Sequence, residues 1–177
     1  MKKRVIAGFA VAVAFGVVAS RSSGAAEEQG ARDTFAPMEF LAGHCWKGAF
    51  KDRPSVTDEH CFEWVYGRNF LRDRHVVRGD SIPYEGQTTF AWNPQEKRIV
   101  YWYIALPGFY STGKVDANNE RIMFIDDLHE ASGRRDLRSV WARTGPETFQ
   151  VRTEDHTGGS VKELWSMEMR RVANKKP

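Results

Sequence analysis

His60, Asp73 and His75 are the residues of this chain best placed to do chemistry. A carboxylate beside an imidazole holds its tautomer and raises its pKa, which prepares the ring for general acid–base work. Asp73 and His75 are two residues apart, so on a strand they share a face. His60 joins them if its own strand pairs with theirs in the right register. Two histidines and an aspartate also match the facial triad of non-haem iron. Nothing else in the sequence supports that, and no metal and no cofactor is expected. The plainer role for the three groups is to satisfy one another inside the fold, since buried polar groups need partners. That role, or simple ligand binding, comes before catalysis.

The register comes from the two cysteines. The turn Lys51-Asp52-Arg53-Pro54-Ser55 lies midway between Cys45 and Cys61. Folding the chain about Arg53 sets the two cysteines opposite each other in an antiparallel pair, with Cβ atoms about 4.5–5.5 Å apart. That is close enough for a disulfide after slight adjustment. From His44 onward the chain reads as ten short alternating runs: 44–50, 56–65, 70–78, 84–92, 98–105, 109–115, 121–126, 136–143, 148–154 and 161–170. Turn formers such as Gly67, Gly79-Asp80-Ser81, Asn93-Pro94 and Thr157-Gly158-Gly159 separate them. No later segment of helical period is long enough for a parallel crossover. The expectation is an all-β fold: a single antiparallel up-and-down barrel of about ten strands, closed so that no edge is exposed. A short N-terminal helix over 35–42, stopped by Gly43, precedes it, and the polar stretch 126–135 reads as a mobile flap near the mouth.

Carrying the register through the following hairpins sorts side chains into two faces. His60 falls opposite His75, Phe62 opposite Asp73, and Trp64 opposite Leu71. A third hairpin centred on Asp80-Ser81 sets His75 opposite Gly86, leaving space for a ligand. A fourth centred on Gln95 sets Thr88 opposite Trp102 and Phe90 opposite Val100. Trp46, Phe62, Trp64, Tyr84, Thr88, Phe90 and Trp102 then share the apolar interior with the His/Asp group, and Trp165 and Met167 from the last run join them as candidate ligand-binding residues. Glu63 and Arg72 form an exterior ion pair. This register leaves Ile99, Tyr101 and Tyr103 outside, an apolar strip that soluble surfaces seldom leave bare. The N-terminal helix, a homodimer contact or a register-shifting bulge would each account for it.

The first 26 residues read as a secretory signal peptide: Lys2-Lys3-Arg4, an apolar run to Ala19, and small residues up to Ala26. The apolar run is too short for a comfortable membrane span of about 20 residues, and no other segment comes closer. Residues 27–34 read as a polar lead-in and 35–177 as the barrel domain. The leader carries four basic residues and no acid, so the formal charge of +3 becomes about −1 once it is removed. The basic pI therefore belongs to the leader and not to a nucleic-acid surface. Two cysteines in a bridge fit an oxidising compartment, and their spacing lacks the close Cys-x-x-Cys of zinc sites. The reading is of a periplasmic or secreted protein.

The stretch Phe40-Leu41-Ala42-Gly43-His44-Cys45-Trp46-Lys47-Gly48 resembles the Leu…Gly…Trp…Gly opening of small lipocalin-like proteins. Tyr84-Glu85-Gly86 and Trp92-Asn93 resemble a later portion of a bacterial family of that superfamily, with nitrobindin a more distant relative. The resemblance implies a calycin-type barrel with a central cavity; it implies no reaction. Nitrobindin's haem histidine lies near its C-terminal strands, and here the run 162–170 contains no histidine. Three functions follow in order: a carrier for a small hydrophobic or aromatic ligand, a cavity enzyme of isomerase, lyase or hydrolase type built on His60, Asp73 and His75, and an envelope interaction module.

Overall fold

A computed structural model describes residues 34–106, 108–130 and 133–173. The expected signal peptide and most of the polar lead-in lie outside them. Ten strands alternate with tight turns: β1 (Cys45–Phe50), β2 (Thr57–Val65), β3 (Phe70–Arg78), β4 (Tyr84–Asn93), β5 (Arg98–Ala105), β6 (Phe109–Ala117), β7 (Arg121–Glu130), β8 (Gly133–Gly145), β9 (Thr148–Asp155) and β10 (Lys162–Val172). Each pairs antiparallel with its sequence neighbour, and β1 also pairs with β10, so the sheet is a closed up-and-down barrel. Among the described residues no helix is long and apolar enough to cross a membrane.

Cys45 pairs directly with Cys61, and a disulfide joins them across 16 residues of sequence. A loop of this size, closed in the unfolded chain, stabilises the fold by about 3 kcal/mol. The inherited registers hold through β3 and β4: His60 faces His75, Phe62 faces Asp73, and His75 faces Gly86. Gly48 sits at the closing seam, where an added Cβ would come within 2.6 Å of the Glu168 carbonyl and the Met169 sulfur. Outside, Arg72 donates to Glu63 at 2.7 Å.

The β4–β5 hairpin is one residue out of the expected register. Asn93 pairs with Arg98, so the turn centres between Gln95 and Glu96 and not on Gln95. The Asn93 side-chain oxygen accepts the backbone N–H groups of Gln95 and Glu96, and Lys97 takes a left-handed φ of 51°. Together these build a four-residue loop where a three-residue one was expected. Because strand side chains alternate, a slip of one residue exchanges the faces. Ile99, Tyr101 and Tyr103 therefore point inward, and Trp102 points outward with 53% of its surface exposed, against 3% for Tyr101. The apolar exterior strip at 99, 101 and 103 does not exist, and Trp102 is not a cavity residue.

Two other expectations change. The N-terminal helix shrinks to a single 3-10 turn, Ala36–Met38. Its neighbours Phe35, Met38 and Leu41 are nonetheless fully buried, with Phe35 set edge-on to Trp64 and Trp46 donating to the Leu41 carbonyl. This segment stoppers one end of the barrel. The expected flap over 126–135 is strand at its described residues: β7 and β8 stay paired from Asp126–Leu137 to Glu130–Gly133. Leu128, inward and buried, continues the alternation begun at Phe124, which the surrounding polar residues obscure.

The β5 register has a direct test. Trp102→Ser should change unfolding stability by less than about 0.5 kcal/mol. Tyr101→Ala should cost about 3 kcal/mol or more. Urea denaturation reads both, and the reverse ranking would contradict the register.

Candidate functional site

The inward face of β2 carries Asp58 and His60, that of β3 carries Asp73 and His75, and β4 and β5 add Tyr84 and Tyr103. The three residues expected from the sequence do meet. His60 Nδ1 lies 2.8 Å from Asp73 Oδ2, and the His60 and His75 rings stack with centroids 4.5 Å apart. The pairing has an additional member, Asp58, which faces His60 Nε2 at 3.2 Å and His75 Nδ1 at 3.0 Å. Asp58 is two residues before His60, so the same alternation that turns His60 inward placed it here. His75 Nε2 is 3.0 Å from the Tyr103 hydroxyl, which is 2.6 Å from that of Tyr84. Tyr103 was hidden by the register of the fourth hairpin. The space opposite His75 at Gly86 is filled by this bond: a Cβ there would stand 2.6 Å from both His75 Nε2 and the Tyr103 hydroxyl.

The charges follow from these contacts. Burial alone would push the Asp58 carboxyl up, but His60 and then His75 outweigh it and hold Asp58 far below the usual range. Burial works against the His60 imidazolium, yet the Asp73 and Asp58 carboxylates on its two nitrogens raise its pKa well above 6.5. His60 is thus a cation clamped between two anions. With a proton on His75 Nδ1, facing Asp58, Nε2 is free to accept from the Tyr103 hydroxyl and Tyr103 from Tyr84, an arrangement in which no donor faces a donor. Burial pushes both tyrosines upward, joined at Tyr103 by the neighbouring Tyr84 and carboxylates and opposed in part at Tyr84 by its hydrogen bond with Tyr103, so they serve as neutral hydroxyls. The arrangement is a continuous chain of hydrogen bonds from the Tyr84 hydroxyl through Tyr103 and His75 to Asp58.

Asp58, His60 and His75 are also the candidate metal ligands, one atom from each lying within 4.8 Å of the others. The two rings are only 13° from parallel, so their in-plane lone pairs run side by side, and holding a metal between them requires one ring to turn.

A second polar group lies farther round the wall, on β5, β6 and β7. Asp126 Oδ1 accepts hydrogen bonds from the Tyr101 hydroxyl and from Ser111 at 2.9 Å. Gly113 gives Tyr101 room to reach it, since a Cβ there would collide with the Tyr101 hydroxyl. Burial outweighs these bonds and raises the Asp126 pKa.

Both groups face one cavity of about 560 Å³ that receives side chains from all ten strands. It opens at the end carrying Arg53, Asp80 and the exposed Ile82, opposite the N-terminal stopper. Of the residues expected to line it, Tyr84, Thr88, Phe90 and Trp165 do. Trp46, Phe62 and Met167 are buried in the packed core and are not part of the cavity wall. Trp64 sits at the stoppered end between Phe35 and the Arg68 guanidinium. Tyr101, Tyr103, Ser111, Phe124, Asp126 and Trp141 complete the wall.

Compared with known proteins, the chain matches no family model and no curated protein.

The Asp126 environment fixes a pH dependence. A carboxyl whose folded pKa is raised contributes stability that is fully present below its unfolded value of 3.8 and is lost as pH rises through the folded value. Asp126→Asn should therefore gain on the wild type in thermal midpoint between pH 4 and 7.5. A gap between the two proteins that stays constant over that range would contradict the raised value.

Proposed function

We propose that this chain is an exported carrier of the lipocalin-like kind, holding a small hydrophobic or aromatic molecule inside the barrel. The cavity carries this reading. Its volume of about 560 Å³ falls within the range of small-molecule sites, roughly 300–1,000 Å³. Its walls are mainly apolar and aromatic, and its polar groups gather chiefly as the His/Asp/Tyr chain, the Asp126 group and the Ser139–Thr153 pair, a composition that suits a site orienting one end of a ligand. Eight strands already suffice to enclose a small ligand, and ten leave more room. The disulfide suits an oxidising compartment, and the charge and apolar layout of residues 1–26 suits export.

A second reading has its own observation. The run from Asp58 through His75 to Tyr103 and Tyr84 ends on the cavity, where it can deliver or accept a proton. In an enzyme of isomerase, lyase or hydrolase type His75 is the acid–base group, Asp58 orients it, and Asp73 holds His60.

Titration with N-phenyl-1-naphthylamine, a neutral apolar fluorophore, tests the first reading. We expect saturable, one-to-one quenching of tryptophan emission through Trp141 and Trp165, lost in a cavity-filling Thr88→Trp variant that remains folded. Quenching that never saturates, or that survives in Thr88→Trp, would end the carrier reading.

A further inference from the structure

We propose that the cavity selects a cation, a protonated amine whose ammonium group docks on Asp126 while its apolar body lies against the aromatic wall. This rests on the carrier reading and names the class of ligand.

The first observation is charge. Asp58, Asp73 and Asp126 all line the cavity. His60 stands between Asp58 and Asp73, one ring nitrogen facing each. The two arginines on the lining stand at its outer part and are engaged elsewhere, Arg53 with Asp80 and Arg135 with Asp155. Asp126 receives two hydroxyl donors and no cation among the described residues, and both hydroxyls go to Oδ1. Among the described residues no donor reaches its Oδ2, and an ammonium ion placed there supplies the charge that keeps Asp126 ionised against the burial that raises its pKa.

The second observation is an oxygen without a partner. Asp73 keeps only 4% of its side-chain surface exposed and lines the cavity, yet its Oδ1 accepts no hydrogen bond. A buried acceptor left unmet is costly, and it adds negative potential to the enclosed space.

The third is the wall around Asp126. Phe90, Tyr101, Phe124 and Trp141 form a chain of ring contacts with centroids 5.0–5.9 Å apart. Phe124 shares the strand and face of Asp126, and Tyr101 is hydrogen-bonded to it. Aromatic faces attract cations through their quadrupole, so a carboxylate set among them is a recognition site for an ammonium ion. The same features repel a carboxylate or phosphate of equal size.

Isothermal titration with three probes of one shape tests this: 2-(1-naphthyl)ethylamine, 2-(1-naphthyl)ethanol and 1-naphthylacetate, at pH 7 and low salt. The amine should bind about tenfold or more tighter than the alcohol, and the acetate should not bind measurably. In Asp126→Asn the preference for the amine over the alcohol should disappear. If the alcohol binds as tightly as the amine, or the acetate binds best, the cation inference falls and the carrier reading stands. If Asp126→Asn keeps the full preference for the amine, the assignment to Asp126 is overturned. If none of the three binds, the carrier reading itself fails.

Discussion

A closed sheet has no edge at which a strand can slip, and every feature of this protein's interior follows from that constraint. β1 is held on one side by β2, through the Cys45–Cys61 bridge, and on the other by β10. Moving any strand by one residue would exchange its inner and outer faces and break two ladders together. Polar residues at inward positions therefore cannot leave. Asp58, His60, Asp73 and His75 have to be satisfied where they stand, and they are satisfied chiefly by one another.

The solution is not an economical way to stabilise a barrel. Desolvating two carboxylates and an imidazolium costs several kcal/mol per ion, and apolar residues of similar volume often serve as well or better. What the network obtains is order. Each ring nitrogen has one partner, and the two glycines opposite, Gly86 and Gly113, clear the space through which Tyr103 and Tyr101 reach their acceptors. Two tyrosines on one strand thus deliver hydroxyls to two separate carboxylate centres, one at Asp58 through His75 and one at Asp126 directly. Between and around these centres the wall is aromatic. A barrel cavity with oriented polar groups and apolar sides is compatible with ligand binding.

Much of this was legible in the sequence because period-two alternation and a single fixed pairing are strong constraints together. Cys45 opposite Cys61 gave the first three hairpins, and with them the meeting of His60, Asp73 and His75. The register departs from the alternation at Asn93–Arg98, where side-chain capping by Asn93 makes an even loop of what reads as an odd one. That single residue hid Tyr101 and Tyr103 and promoted Trp102 to the interior. Asp126 was missed for a related reason: its neighbours Asp127, His129 and Arg134 look like loop, although Phe124, Asp126 and Leu128 keep the alternation. Trp46, Phe62 and Met167 show a further limit. Alternation tells inside from outside, but not whether an inside residue meets the cavity or the packed end, which depends on where the segment around Phe35 and Leu41 comes to rest.

The central claim is that His60 is an imidazolium sealed between Asp58 and Asp73 inside the barrel. Long-range proton–nitrogen NMR of the imidazole rings tests it directly. The account predicts that both His60 nitrogens carry protons well above pH 6.5, with slow exchange at Nδ1. A His60 ring that titrates near the ordinary value, or exchanges freely with water, would contradict it.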